Sequence, residues 1–325
     1  EAIAAFIQVI DSDPQNSDAW AARGAVYIEV QLPFKAFADC QRADELRPQD
    51  ARILVLKGIA LADRAAFCQS MLAGARSRVA DEGFAQAVDA LDEAIRLKPE
   101  HAPSYLARGS VYATMNDLAS ALTDHAQALR LAPNDAACFA SRGEVYWRFS
   151  DYTAAIADFD RAIALDPGQY RIYMLRAWAH AELNDLENAN RDIETATHLG
   201  SNDIRLHWKL GGFFREIGND PVRARLAYDT TRKLQPKIPT VYMLHHGDDV
   251  FAHLDKGLQL DPVCIPLLFE RGQKSLLADN YGQAITDANR LVKLEPTLAG
   301  GWYTRGYANY ETDRLKEALS DLDRA

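Results

Sequence analysis

A spacing of 34 residues governs this chain. Eight prolines, each closing a stretch of apolar and acidic residues, mark it: Pro14, Pro48, Pro99, Pro133, Pro167, Pro236, Pro262 and Pro296. Four of the seven gaps are 34 residues, from 14 to 48, 99 to 133, 133 to 167 and 262 to 296. The gap from 48 to 99 is 51, or 34 plus 17, and that from 167 to 236 is 69, with Ser201 where a proline would fall. The gap from 236 to 262 is 26, short by 8. A fixed period of this size means that one supersecondary unit is repeated, and that neighbours bury a face none could bury alone.

The same landmarks recur inside each unit. Trp20, Arg23, Gly24 and Tyr27 are followed by Ala36, Cys40, Ala43 and Pro48. Tyr105, Gly109, Tyr112, Ala121, Ala128 and Pro133 repeat that layout, as do Phe139, Gly143, Tyr146, Ala155, Phe159, Ala162 and Pro167. The last unit shows Trp302, Gly306, Ala318 and Ala325. Apolar residues fall three and four apart on both sides of a polar break such as Asn116-Asp117 or Ser150-Asp151, which predicts two amphipathic helices joined by a tight turn. Gly and Ala allow the two backbones to approach, and proline stops the second helix.

Length alone, 325 residues against about 150 per domain, would suggest two domains; the repeat replaces that with one array. At 48% hydrophobic and 25% charged residues the chain can bury a core along its length. A net charge of −10 argues against a general nucleic-acid or anionic-membrane binder. No apolar run reaches the roughly eighteen residues that would span a bilayer, and the first residues carry no basic segment or cleavage site of a signal peptide. Cys40, Cys68, Cys138 and Cys264 are far apart, which fits reduced thiols in a cytoplasmic setting better than a disulfide or zinc framework.

These landmarks resemble the tetratricopeptide repeat family, with its aromatic-Gly-Tyr…Ala…Phe…Pro signature. The resemblance covers nearly the whole chain and implies an all-α fold: a right-handed α-solenoid of about nine helix-turn-helix repeats. Its units are 1–16 (partial), 17–50, 51–101 with an insertion near 62–83, 102–135, 136–169, 170–203, 204–238, 239–264 (degenerate), 265–298 and 299–325 (incomplete). Both ends stop partway through a unit, so the reading expects further chain, or self-association, to continue from them.

Comparing the repeats with one another exposes a pairing rule. Arg23, Arg108, Arg142, Arg176, Arg271 and Arg305 each precede the close-packing Gly or Ala. Sixteen residues later stand Asp39, Asp124, Asp158, Asp192, Asp287 and Asp321. Where the arginine is lost the aspartate goes too: Lys57 accompanies Ala90 across the insertion, and Leu210 accompanies Ala227; the short unit has His245 and His253. This predicts an Arg–Asp bond inside each unit, the planar guanidinium gripping a carboxylate with two hydrogen bonds.

In the resembling family the first helices line a concave surface that holds peptides or partner helices. By repeat phase, this implies a groove over units 136–235 formed by Trp147, Arg148, Arg171, Met174, Trp178, Arg205, Trp208, Lys209 and Arg215, with Glu144, Glu182 and Glu216 beside them. Three of the five tryptophans lie here, and five basic against three acidic side chains give +2. Trp and Arg are enriched at binding hot spots. The groove therefore suits a peptide with acidic and apolar side chains; the competing reading has the tryptophans packing between helices and the arginines pairing with neighbouring Glu. The Lys, Asn and Arg set with which family members hold chaperone C-termini is absent: the first units offer Ala21, Ala22, Ala25, Val55, Leu56, Pro103, Ala107 and Ser110.

Other features weigh less. Phe67, Met71, Ala75 and Val79 would form an apolar stripe if the insertion made a projecting helix, with Gly74 able to break it. His245, His246 and His253 with Asp248 and Asp249 hold zinc-ligand types, but Gly247 and the deficit of 8 favour a distorted joint. No P-loop, GxGxxG, HExxH or GxSxG motif is present, and Gly272-Gln273-Lys274-Ser275 lacks a phosphate loop's upstream glycine spacing. No cofactor or metal is implied. The reading is a non-enzymatic protein-interaction scaffold; the alternative is the recognition or regulatory arm of a larger enzyme or signalling protein.

Overall fold

The computed structural model describes residues 2–70, 78–234, 236–237, 239–243 and 250–325. Eighteen α-helices lie in these residues and no strand does. In chain order they are α1 (Ala2–Ser12), α2 (Ser17–Glu29), α3 (Pro33–Leu46), α4 (Ala51–Ser70), α5 (Arg78–Leu97), α6 (Ala102–Thr114), α7 (Leu118–Leu131), α8 (Ala136–Arg148) and α9 (Tyr152–Leu165). They continue with α10 (Tyr170–Glu182), α11 (Leu186–Leu199), α12 (Ile204–Glu216), α13 (Pro221–Leu234), a short 3-10 helix (Pro239–Met243), α14 (Val250–Leu260), α15 (Ile265–Leu277), α16 (Tyr281–Leu294), α17 (Ala299–Glu311) and α18 (Leu315–Leu322). From α2 onward the α-helices pair as first and second members of successive repeats, except that the 3-10 helix stands where the degenerate unit would have its first helix.

In the pairs α6–α7, α8–α9 and α10–α11 the turn is built by two residues. The first adopts positive φ, as at Asn116 (66°), Ser150 (64°) and Asn184 (60°). This lets the next N–H reach back five residues: Asp117 donates to Tyr112 O, Asp151 to Tyr146 O and Asp185 to His180 O, satisfying carbonyls the helix end leaves open. The second residue then caps the following helix, the carboxylates of Asp117, Asp151 and Asp185 accepting from Ser120, Ala154 and Asn188 N–H.

Close packing within a pair falls where the sequence places Gly. A Cβ at Gly143 would stand 2.7 Å from the buried Phe159 ring. The aromatic near the start of each first helix anchors the preceding link: Trp20 Nε1 donates to Pro14 O, Tyr105 OH to Pro99 O, Tyr173 OH to Pro167 O and Trp302 Nε1 to Pro296 O. His207 Nε2 meets Ser201 O in the same way at 2.7 Å, where the proline is missing.

All six sequence-paired arginines grip their aspartates with two hydrogen bonds. Arg142 Nε and Nη2, for example, each lie 2.7 Å from an Asp158 oxygen. The remaining guanidinium N–H donates to the second helix of the preceding repeat, again sixteen residues away: Arg108 to Asp92, Arg176 to Asp160 and Arg271 to Asp255, each at 2.5 Å, and Arg305 to Asn289 at 2.8 Å. Where the arginine is replaced, Lys57 bonds Asp44 at 2.7 Å, while Leu210 and Ala227 pack in one apolar cluster.

The insertion lengthens a helix pair: α4 and α5 have 20 residues each, against 13 in α6 and 14 in α7. Phe67 belongs to α4 and Val79 to α5; Met71, Gly74 and Ala75 lie outside the described residues, as do His245, His246, Gly247, Asp248 and Asp249.

The chain divides into two compact units, one made of Glu1–Gln41, Ala60–Ala85 and Pro236–Ala325, the other of Arg42–Ile59 and Gln86–Gln235. In the first, residues from the start of the chain meet residues from its end. Lys35 Nζ is 2.5 Å from Asp261 Oδ2, and Arg64 bonds Glu295 at 3.3 Å while lying over the Phe37 ring. Phe34 meets Phe67 edge-on with centroids 5.5 Å apart. The sequence reading, in which each repeat packs mainly on its neighbours, did not include these contacts.

The arginine clamp yields a graded prediction. Asp192 is 5% exposed at its side chain and Asp160 is 57% exposed, though both bind Arg176. Asp192→Ala should cost about 3 kcal/mol, since it strips the guanidinium of its shielded partner, whereas Asp160→Ala should cost less than about 1 kcal/mol. Equal losses in urea unfolding would contradict this division.

Candidate partner-binding groove

Within the second unit, first helices of four successive repeats enclose a cavity of about 440 Å³. Ser110, Ala113 and Thr114 come from α6, and Ser141, Glu144, Val145, Trp147 and Arg148 from α8. α10 gives Leu175 and Trp178, and α12 gives Lys209 and Glu216. The lining follows the repeat phase, with rows 34 apart: 110, 144 and 178; 141, 175 and 209; 113 and 147; 114 and 148. Of the residues expected in a groove, Trp147, Arg148, Trp178 and Lys209 are brought together here, beside Glu144 and Glu216.

The others stand elsewhere. Met174 is 1% exposed and packs in the core with Leu206, Leu210 and Phe213, so its thioether is unavailable to a partner. Arg171 is exposed and bonds Glu144 at 2.7 Å, tying α10 to α8. Arg205 holds Asp203, which caps α12, at 2.8 Å. Arg215 pairs with Glu216, and Trp208 is half-buried on α12 outside the lining. The α6 residues were missed, although carrying the phases of Glu144, Trp147 and Arg148 back by one repeat finds Ser110, Ala113 and Thr114.

An aromatic ladder crosses the repeats beside the cavity. Trp147 and Trp178 meet edge to face at 6.4 Å and 79°, and Trp178 meets Phe213 at 5.3 Å and 84°. Such pairs fix ring orientation. The Trp147 Nε1 proton is buried and finds no acceptor among the described residues.

Charge in the cavity is unbalanced in a specific way. Both acidic side chains in the lining are bound by arginines, Glu144 by Arg171 and Glu216 by Arg215. Arg148 and Lys209 have no hydrogen-bond or ion-pair partner among the described residues. Lys209 is half-buried, and desolvation, with a smaller push from Arg171, lowers its pKa. Its position has a local cause. α10 has Leu175-Arg176, whereas the same phase in α12 reads Lys209-Leu210. The cation has moved back one residue, about 100° around the helix, leaving the clamp position and entering the groove row.

A desolvated cation without a partner weakens a fold. Lys209→Met should therefore stabilise the protein by about 1 kcal/mol at neutral pH. Because the native state holds this proton less tightly than the unfolded chain, the penalty is relieved as pH rises toward the ordinary lysine value of 10.5. The difference between Lys209→Met and the native protein should thus shrink with rising pH; urea titrations across that range would show it, and a destabilised variant would refute it.

The repeat model described as "Tetratricopeptide repeat" matches residues 72–136 and 141–204. No curated protein matches the sequence. Among solved structures, yeast Tom70 is 16% identical with a TM-score of 0.59, the match covering 97% of this chain and 92% of that one. Human IFIT1, solved as a dimer with PPP-AAAA, is 15% identical with a TM-score of 0.53, covering 99% of this chain and 66% of that one. Likenesses of this order show the fold. With the repeat model over residues 72–136 and 141–204, the 34-residue landmarks and the paired helices in agreement, the chain has the all-α repeat fold of tetratricopeptide-repeat proteins.

Proposed function

We propose that the protein is an interaction scaffold whose groove on α6, α8, α10 and α12 holds an extended partner segment bearing acidic and apolar side chains. One observation carries this reading. The acidic groups of the cavity are neutralised by arginines, while two cations of its lining, Arg148 and Lys209, have no hydrogen-bond or ion-pair partner among the described residues. Polar groups held in this state gain most from a ligand that supplies acceptors. The exposed part of the aromatic ladder offers apolar contact next to them. An array of repeats suits a segment in extended conformation, because each repeat presents the same helix face to the next few residues of the ligand.

The test is a random-peptide display library panned against the full chain. Enriched sequences should combine an acidic residue with a nearby aromatic or aliphatic one. Their affinity should fall at least tenfold in Arg148→Glu, an exposed substitution, and in Trp178→Leu, as measured by fluorescence anisotropy. Enrichment without acidic residues, or affinities indifferent to both substitutions, would remove the groove as the binding face.

A further inference from the structure

We infer that the repeat formed by α17 and α18 carries a pocket for an aromatic ring bearing an anionic group, a site separate from the groove. The ring takes a place that the chain's own tyrosines fill in other repeats.

Four residues after the clamp arginine, three first helices carry tyrosine: Tyr27, Tyr112 and Tyr146. Each of those arginines is flanked by two rings. Arg23 is 4.9 Å from the Trp20 centroid and 5.8 Å from that of Tyr27. Arg108 is 5.8 and 5.9 Å from Tyr105 and Tyr112, and Arg142 is 5.9 and 5.8 Å from Phe139 and Tyr146. In α17 the tyrosine position is Asn309. Among the described residues Arg305 keeps only the first ring, Trp302 at 4.9 Å, and Asn309 gives its amide to Asp321 at 3.2 Å. Beside it opens a pocket of about 500 Å³, whose lining includes Asn289 of α16, Arg305 and Asn309 of α17, and Arg314, Lys316 and Asp321.

This pocket is where the missing ring belongs. Burial raises the Tyr112 pKa, Arg108 opposes the rise, and Asp92, Asp124 and Asp117 add to it, so these four groups lie close to that phenol. At the same offsets along the chain from Asn309 stand Arg305, Asn289, Asp321 and Arg314, and all four line the pocket. The helices α10 and α15 also lack the tyrosine. There, however, His180 supplies a ring of its own, 3.2 Å from Asp185, and Ser275 is wholly buried.

The residues around the vacancy set the charge of the ligand. Beside Tyr112 stand Asp92 and Asp117; the pocket has Asn289 and Arg314 in their places, and Lys316 where that repeat has Ala119. Asp321 is engaged by Arg305. The side chains of Arg314 and Lys316 have no hydrogen-bond or ion-pair partner among the described residues, and Glu317 is the one remaining acid of the lining. A flat ring restores the second stacking partner of the Arg305 guanidinium. An anionic group on that ring answers the surplus of cations, which neither a neutral aromatic nor an aliphatic acid does together.

The experiment titrates the 15N-labelled full chain with N-acetyltyrosine, phenyl phosphate, the neutral N-acetyltyrosinamide or the ringless N-acetylleucine, with the Arg305 Nε–H resonance as reporter. At least one aryl anion should shift it saturably, the tighter of the two telling whether the anionic group is a carboxylate or a phosphate. The amide and N-acetylleucine should each bind at least tenfold more weakly than the better aryl anion. Asn309→Tyr, which returns the ring, should raise the thermal unfolding midpoint and reduce binding at least tenfold. Arg314→Asp, which restores the residue found at Asp117, Asp151 and Asp185, should reduce anion binding at least tenfold and leave the amide unchanged; it keeps the test decisive if Asn309→Tyr does not fold. A reporter unmoved by both aryl anions, equal binding of the amide or of N-acetylleucine, or an affinity indifferent to these substitutions would overturn the assignment.

Discussion

A guanidinium bonded to two second helices at once is the interaction on which this array depends. Arg176 joins Asp192 of its own repeat to Asp160 of the preceding one, and Arg108 and Arg271 make the same bridge. The aromatic landmarks are organised around that charge. Arg108 lies over Tyr105 and Tyr112, Arg142 over Phe139 and Tyr146, and Arg23 over Trp20 and Tyr27. Of those rings, Trp20 and Tyr105 also tie down the proline-bearing link before them through their polar tips. The signature of the repeat is thus one connected contact: an arginine set between rings and carboxylates, with Gly or Ala beside it so that the helices approach closely enough for the grip.

A bond with fixed geometry also fixes register. Because the fork requires both carboxylate oxygens in its plane, the first helix cannot slide or rotate against its partner without losing both bonds. Residues facing away from the clamp are held in rows, and the groove rows at 34-residue spacing are the far side of the same constraint. This explains how a few side chains from four separate helices converge on one cavity with no loop to position them.

What could be read from the sequence is what repeats. The helix pairs, their turns and the Arg–Asp bonds lie within one period and recur often enough for residues to be compared in phase. Phase also placed Trp147, Trp178 and Lys209 on one face. It did not separate Met174, whose side chain is drawn into the core by Leu206 and Leu210 of the next repeat, nor Arg205, which turns back to its own helix cap. The Lys35–Asp261 and Arg64–Glu295 bonds left no trace, since each joins residues more than two hundred positions apart and occurs once. The second anchor of the clamp was legible in part: Asp92, Asp160 and Asp255 stand sixteen residues before three of the six arginines, and Asn289 stands before a fourth.

The exception to the pairing rule is a cation displaced from the clamp position. In α12 the clamp position is Leu210, which meets Ala227 through apolar packing and keeps the helix pair together without an ion pair. That substitution removes the structural use for a cation at this point in the repeat, yet one is present one residue earlier as Lys209. There it gains no bond and loses hydration, so nothing in the packing of the repeat accounts for it. Arg171 and Arg215 occupy the two nearby carboxylates, and so preserve the imbalance. An aliphatic residue would serve the fold better in that row, as Leu175 does one repeat earlier. A charge that the fold would be more stable without is the ground on which the proposed groove rests.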